Sequence, residues 1–142
     1  MKTLKINNLA VLTILVQGHL IPMAWYSAFM KPYMMYNNLT PDMGKQAGIT
    51  PYIASILYTG SLALVMAWVF KRMNIQSAID GLKTGFIMGV PIMLFDNIMQ
   101  NLFAVRPYPL SWIDGGYGII IFSVSGLILG GWRKYKVSPA SA

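Results

Sequence analysis

Apolar residues run through this chain in four long, nearly unbroken stretches, with polar residues gathered between them. The runs cover residues 8–30, 52–71, 80–103 and 113–132. A helix crossing a hydrocarbon layer of about 30 Å needs about 20 mostly apolar residues, so each run is long enough to span. The pattern predicts an all-α fold, an integral membrane four-helix bundle of two helical hairpins, with 1–142 as a single transmembrane domain. Lys2 and Lys5 ahead of Leu9 to Val16 imitate a signal peptide, but His19, Pro22, Trp25 and Tyr26 follow without a small-residue cleavage site. The first run therefore reads as an uncleaved span.

Helix punctuation supports these boundaries. Thr50-Pro51 reads as a capping hydroxyl ahead of a proline at the first helical position. Ser77…Asp80 and Ser111…Asp114 have the spacing of a capping box, with a short acid in place of glutamate. Thr40-Pro41-Asp42 predicts a short amphipathic or irregular segment over 41–48, and Tyr33, Met34, Met35 and Tyr36 place the surrounding loop at the membrane interface. Within the spans, Pro22 removes the amide that would bond Gly18 and Pro91 the one that would bond Ile87, so both helices should bend or open there. Gly81, Gly85 and Gly89 repeat at four-residue steps, and Gly118, Gly126 and Gly130 follow one stripe of the fourth span. Such stripes let backbones approach closely and predict packing seams, inside the bundle or between chains.

Composition narrows the class. Hydrophobic residues make up 56% of the chain and charged residues 11%, against about 25% charged in soluble domains. A soluble helical bundle would need a large partner to hide this surface. The formal charge of +7 raises nucleic acid as a partner, but the bases lie in short flanks between spans and leave no soluble basic face. Lys2, Lys5, Lys71, Arg72, Lys83, Arg133, Lys134 and Lys136 share one side, against Lys31, Lys45 and Arg106 on the other. That asymmetry predicts a multi-pass protein of the bacterial cytoplasmic membrane with both termini in the cytoplasm. The absence of cysteine excludes a disulfide framework and a thiolate metal site.

Candidate chemistry is sparse. Asp96, Asn97, Gln100 and Asn101 form a polar stripe on the third span, and an aspartate facing lipid costs roughly 2.5–3.5 kcal/mol on insertion scales. By depth its neighbours are Trp25, Tyr26, Ser27, Ser55, Tyr58, Thr59, Asp114 and Tyr117, so Tyr26, Tyr58, Asp96, Asn97, Gln100, Asn101, Asp114 and Tyr117 make a candidate outward-facing polar pocket. Arg106 is the nearest candidate counter-ion, if the Pro107 turn folds back. The alternative for the stripe is interhelical hydrogen bonding without a ligand. His19 is expected to bond a carbonyl freed by Pro22, since no second histidine is present to share a metal. Met30, Met34 and Met35 offer thioethers suited to Cu(I), although methionine is equally an adaptable apolar residue; the main expectation is no metal and no cofactor. With no glutamate, no cysteine and one histidine, the usual catalytic patterns are missing.

Asn8-Leu-Ala-Val-Leu, Trp25-Tyr26-Ser27, Asn101-Leu-Phe with Arg106-Pro107, Ile113-Asp114-Gly115-Gly116-Tyr117 and Gly-Gly-Trp132-Arg133 together resemble a family of small four-span bacterial membrane proteins, domain of unknown function 1761. His19, Pro22 and the methionine content depart from that pattern. The resemblance implies four spans and a bacterial membrane and carries no activity. From the residues, the first functional expectation is an accessory or interaction subunit that associates with lipid and with other membrane subunits or itself. The alternative is a small-molecule, ion or proton binder or transporter using the pocket around Asp96.

Overall fold

Four long helices follow the four apolar runs in the computed structural model, which describes residues 2–137. α1 spans Asn8–Ala28, and the short helices α2 (Met30–Tyr36) and α3 (Pro41–Gln46) fill the connection to α4 (Thr50–Arg72). The third crossing, Ala78–Phe103, is built from α5 (Ala78–Gly89), a π-helical turn (Val90–Phe95) and α6 (Asp96–Phe103); α7 (Tyr108–Gly131) is the fourth. Strands β1 (Lys2–Lys5) and β2 (Lys134–Val137) pair antiparallel, with Leu4 opposite Tyr135. This two-stranded ribbon holds the ends of the described chain on one face, as an even number of crossings requires. That face is the ribbon end, and the opposite one is the far end.

The helices turn their large apolar side chains outward. On α1, Leu9, Leu12, Val16, Leu20 and Met23 are exposed, whereas Ala10, Ile14 and Gly18 are buried. Lipid solvates the large side chains and leaves helix contact to the small ones. The chain is a multi-pass membrane protein. Buried positions make up 44% of the central span of α7, against 17%, 28% and 22% for the other three crossings, so α7 is the helix around which the others pack.

The glycine stripes meet each other within the chain. A Cβ on Gly81 would fall on the carbonyl oxygen of Gly126, one on Gly126 would fall on that of Gly81, and Gly85 and Gly130 stand in the same relation to Phe122 and Ser77. Gly89 abuts Ile119 and Phe122, and Gly118 lies under Met93, where an added Cβ would come within 2.5 Å of the Met93 Cβ. All six glycines therefore serve one intramolecular α5–α7 seam that continues into the π-helical turn. At the ribbon end, Met66, Phe70, Ile75 and Phe122 form the apolar cluster beside it.

Pro91 opens the third crossing as its missing amide requires, and the opening takes the form of one wide turn. The extra residue rotates everything downstream by roughly 100°, one residue's share of an α-helical turn. Buried positions accordingly run Gly81, Gly85, Gly89, then Leu94 and Asn101. Pro22, by contrast, lies inside a continuous α1.

Two of the expected caps are corrected. α7 begins at Tyr108, earlier than expected, because Pro107 and Pro109 suit a helix start; Ser111 and Asp114 thus lie inside the helix and do not form a capping box. Thr50 is the first residue of α4 and makes no cap hydrogen bond. Ser77 does cap α5, its hydroxyl oxygen accepting from the Asp80 amide at 3.0 Å. Three helices end in the same left-handed turn, at Asn38, Asn74 and Val105. In each, the next amide reaches back five residues: Leu39 to Met34, Ile75 to Phe70 and Arg106 to Asn101.

Candidate functional site

α1 and α4 touch where the Thr59 side chain packs onto Gly18. A methyl group fits there only because Gly18 has no side chain, so this contact is a floor. Beyond it, toward the far end, the two helices enclose a cleft of about 790 Å³. From α1 come His19, Pro22, Met23 and Tyr26; from α4 come Pro51, Tyr52, Ser55 and Tyr58. Tyr33 of α2 and Tyr117 of α7 complete the wall. The volume suits a drug-sized molecule, and the lining is mainly apolar with a few polar tips, the usual make-up of small-molecule sites.

The polar groups at the wall are held in place. Tyr26 donates its hydroxyl to Asp114 Oδ1 at 2.7 Å. Its ring packs edge-on to Tyr33, with centroids 4.8 Å apart, and tilted against Tyr117 at 5.6 Å. Tyr58 points its hydroxyl at Met93 Sδ, 3.5 Å away, so the π-helical turn supports the wall from behind. Burial pushes the Tyr33 phenol above its ordinary pKa; the charge of Asp114 adds to the rise and Arg106 opposes it. Tyr33 therefore remains a neutral phenol at physiological pH.

His19 hydrogen-bonds Leu15 O at 2.8 Å through Nδ1 and Ser55 Oγ at 3.3 Å through Nε2. The expected partner was a carbonyl freed by Pro22. The acceptor is instead one turn back, because the ring folds along its own helix toward the amino end. Since a carbonyl only accepts, Nδ1 carries a proton, and Nε2 is the nitrogen that faces Ser55.

The family model for DUF1761, a protein of unknown function, matches residues 9–130. The chain belongs to the DUF1761 family. The match takes in all four crossings, and so every helix of the cleft. No curated protein and no solved structure matches the chain. Two of the short motifs that carry the DUF1761 resemblance form a single joint in space. Trp25 donates its indole N–H to Ile113 O at 2.9 Å and lies beside Gly116, while the adjacent Tyr26 meets Asp114 and Tyr117. The joint locks the far half of α1 onto α7.

The structure divides the eight expected pocket residues. Tyr26, Tyr58 and Tyr117 line the cleft, and Asp114 stands one hydrogen bond behind it. Asp96, Asn97, Gln100 and Asn101 do not reach it. Asn101 is buried and donates to Ser111 Oγ at 3.1 Å, and Asn97 donates to Met93 O at 2.8 Å. Asp96 instead accepts from Gln100 along α6, where Gln100 is exposed. The wide turn is the cause: in an unbroken helix Asp96 and Gln100 would continue the face of Gly85 and Gly89, and the inserted residue gives that place to Asn97 and Asn101. Arg106 pairs with neither acid; the one ion pair among the described residues is Lys45–Asp42 at 3.2 Å. Met30 and Met35 are exposed on α2 and Met34 is half-buried. Tyr33, Tyr52 and His19 line the cleft but were absent from the expected pocket. Tyr52, Ser55 and Thr59 recur at helical spacing on α4, which was the available signal; nothing in the sequence placed α2 over the cleft.

Proposed function

We propose that this chain is a membrane-embedded binding protein for a small, largely apolar molecule, taken up in the cleft between α1 and α4. The observation that carries the reading is the cleft itself, of about 790 Å³, walled by tyrosines and His19 and closed below by the Gly18–Thr59 contact. The glycine seams, which first favoured a subunit role, are consumed inside the chain. We further propose that residues 1–142 act as one transmembrane unit of the bacterial cytoplasmic membrane, with the ribbon end in the cytoplasm. Eight basic residues at that end against three at the other support this orientation.

The binding reading is tested by thermal denaturation of the purified full chain against a panel of aromatic amines, neutral aromatics and aromatic acids. At least one class should stabilise the wild type, and Ser55→Trp, which fills the cleft from α4, should abolish the stabilisation while the variant still folds. If no class stabilises the wild type, or if Ser55→Trp leaves the effect intact, the cleft is not a binding site.

The subunit role is retained as a second reading on a different observation. The Asp96–Gln100 pair lies on a face of α6 with exposed Phe95, Met99 and Leu102 around it. Polar groups so placed favour a protein neighbour over lipid. Cross-linking from Gln100→Cys in native membrane tests this: a discrete adduct with a second membrane chain supports it, and monomer alone removes it.

A further inference from the structure

We infer that the cleft selects a lipophilic organic cation, an amine or quaternary ammonium carrying an apolar body. The inference rests on the binding reading above and deepens it. Aromatic rings present negative faces, and a cation held over them is attracted, most strongly where water is excluded. Five tyrosines supply such rings around one cavity, and no lysine or arginine lines it.

The second observation is the carboxylate. Asp114 accepts the hydroxyl proton of Tyr26 at 2.7 Å, which pushes electron density into the Tyr26 ring and strengthens its negative face. The same hydrogen bond keeps an acid directly behind the wall, where it offsets the charge of a bound cation without entering the cavity. Arg106 is exposed and makes no ion pair with Asp114, so its charge acts on this region only from a distance, as it does at Tyr33. His19 is the remaining titratable wall group besides the tyrosines; with Nδ1–H committed to Leu15 O, it presents Nε2 on the cleft side. An anion would be repelled by the nearby acid, and a neutral hydrocarbon would use only the apolar part of the wall.

The test compares two molecules of one shape, benzyltrimethylammonium and its neutral carbon isostere neopentylbenzene, by equilibrium dialysis against the full chain in phosphatidylcholine nanodiscs, with empty nanodiscs correcting for partition. The cation should bind at least about tenfold more tightly, the size expected of a desolvated cation–π contact. Asp114→Asn should cut the cation's affinity several-fold and leave that of the isostere unchanged. Tyr58→Leu removes a ring whose hydroxyl meets only Met93, and provides the same comparison should Asp114→Asn fail to fold. Equal binding of the two molecules, or tighter binding of benzoate, would overturn the cation preference while leaving the cleft a binding site. Binding of neither, in wild type and Ser55→Trp alike, would overturn both readings.

Discussion

Replacing Gly81 with alanine puts a methyl group where the Gly126 carbonyl oxygen now sits. Neither partner is a flexible side chain, so relief requires α5 and α7 to separate by about 1 Å, which forfeits a quarter to a half of each dispersion contact across the seam. If roughly 40 atom pairs each lose a third of a well of about 0.15 kcal/mol, the loss is about 2 kcal/mol. That falls within the range of about 1–3 kcal/mol for overpacked cores. Gly126→Ala inflicts the same separation from the other side. Once the helices have parted for one methyl, the second costs less, so the double variant should lose less than the sum of the singles. Unfolding in dodecylmaltoside titrated with SDS, followed by circular dichroism, measures the losses, and light scattering reports the oligomeric state. Unchanged unfolding of Gly81→Ala with a shift in oligomeric state would move the seam from inside the chain to between chains and refute the reasoning.

The Tyr26–Asp114 bond ties α1 to α7, and Tyr26→Phe should cost about 1 kcal/mol in the same assay, the usual worth of an interhelical hydrogen bond in lipid. Ser111→Ala should cost about 1–3 kcal/mol, because it leaves the buried Asn101 amide without its partner. Val105 is 91% exposed and sits at a φ of 53°, so Val105→Gly should stabilise the chain by about 1 kcal/mol by removing a left-handed β-branched residue. Deleting Ile92, an exposed residue of the π-helical turn, should return α6 to its unbroken register, turn Asp96 toward α7 and destabilise the chain by more than Ser111→Ala does.

The residues that announced themselves in the sequence are those whose roles depend on one helix at a time. Apolar length marked the four crossings, Ser77 marked the start of α5, and the steps between Gly81, Gly85 and Gly89 marked a face that something must approach. Positions that depend on two helices were harder to read. Pro91 signalled an opening, but a kink and a one-residue insertion leave the same mark in sequence, and only the insertion moves Asp96 off the face of Gly89. The Ser111…Asp114 spacing imitated a cap because Pro107 and Pro109, which set the true start, stand outside the box. Tyr26, Tyr58, Asp114 and Tyr117 were recognised by depth. The cleft they border opens above the contact of Thr59 on Gly18, and no periodicity predicts which small residue on α1 meets which turn of α4.

Photolabelling maps the occupied surface most directly. The full chain in phosphatidylcholine nanodiscs is irradiated with a diazirine-bearing benzyl ammonium, and the modified residues are located by mass spectrometry with and without excess benzyltrimethylammonium. Label that competitor removes should concentrate in residues 19–26 of α1 and 52–58 of α4. Label spread over the lipid-facing faces of α5 and α6, and indifferent to competitor, would contradict a binding cleft between α1 and α4.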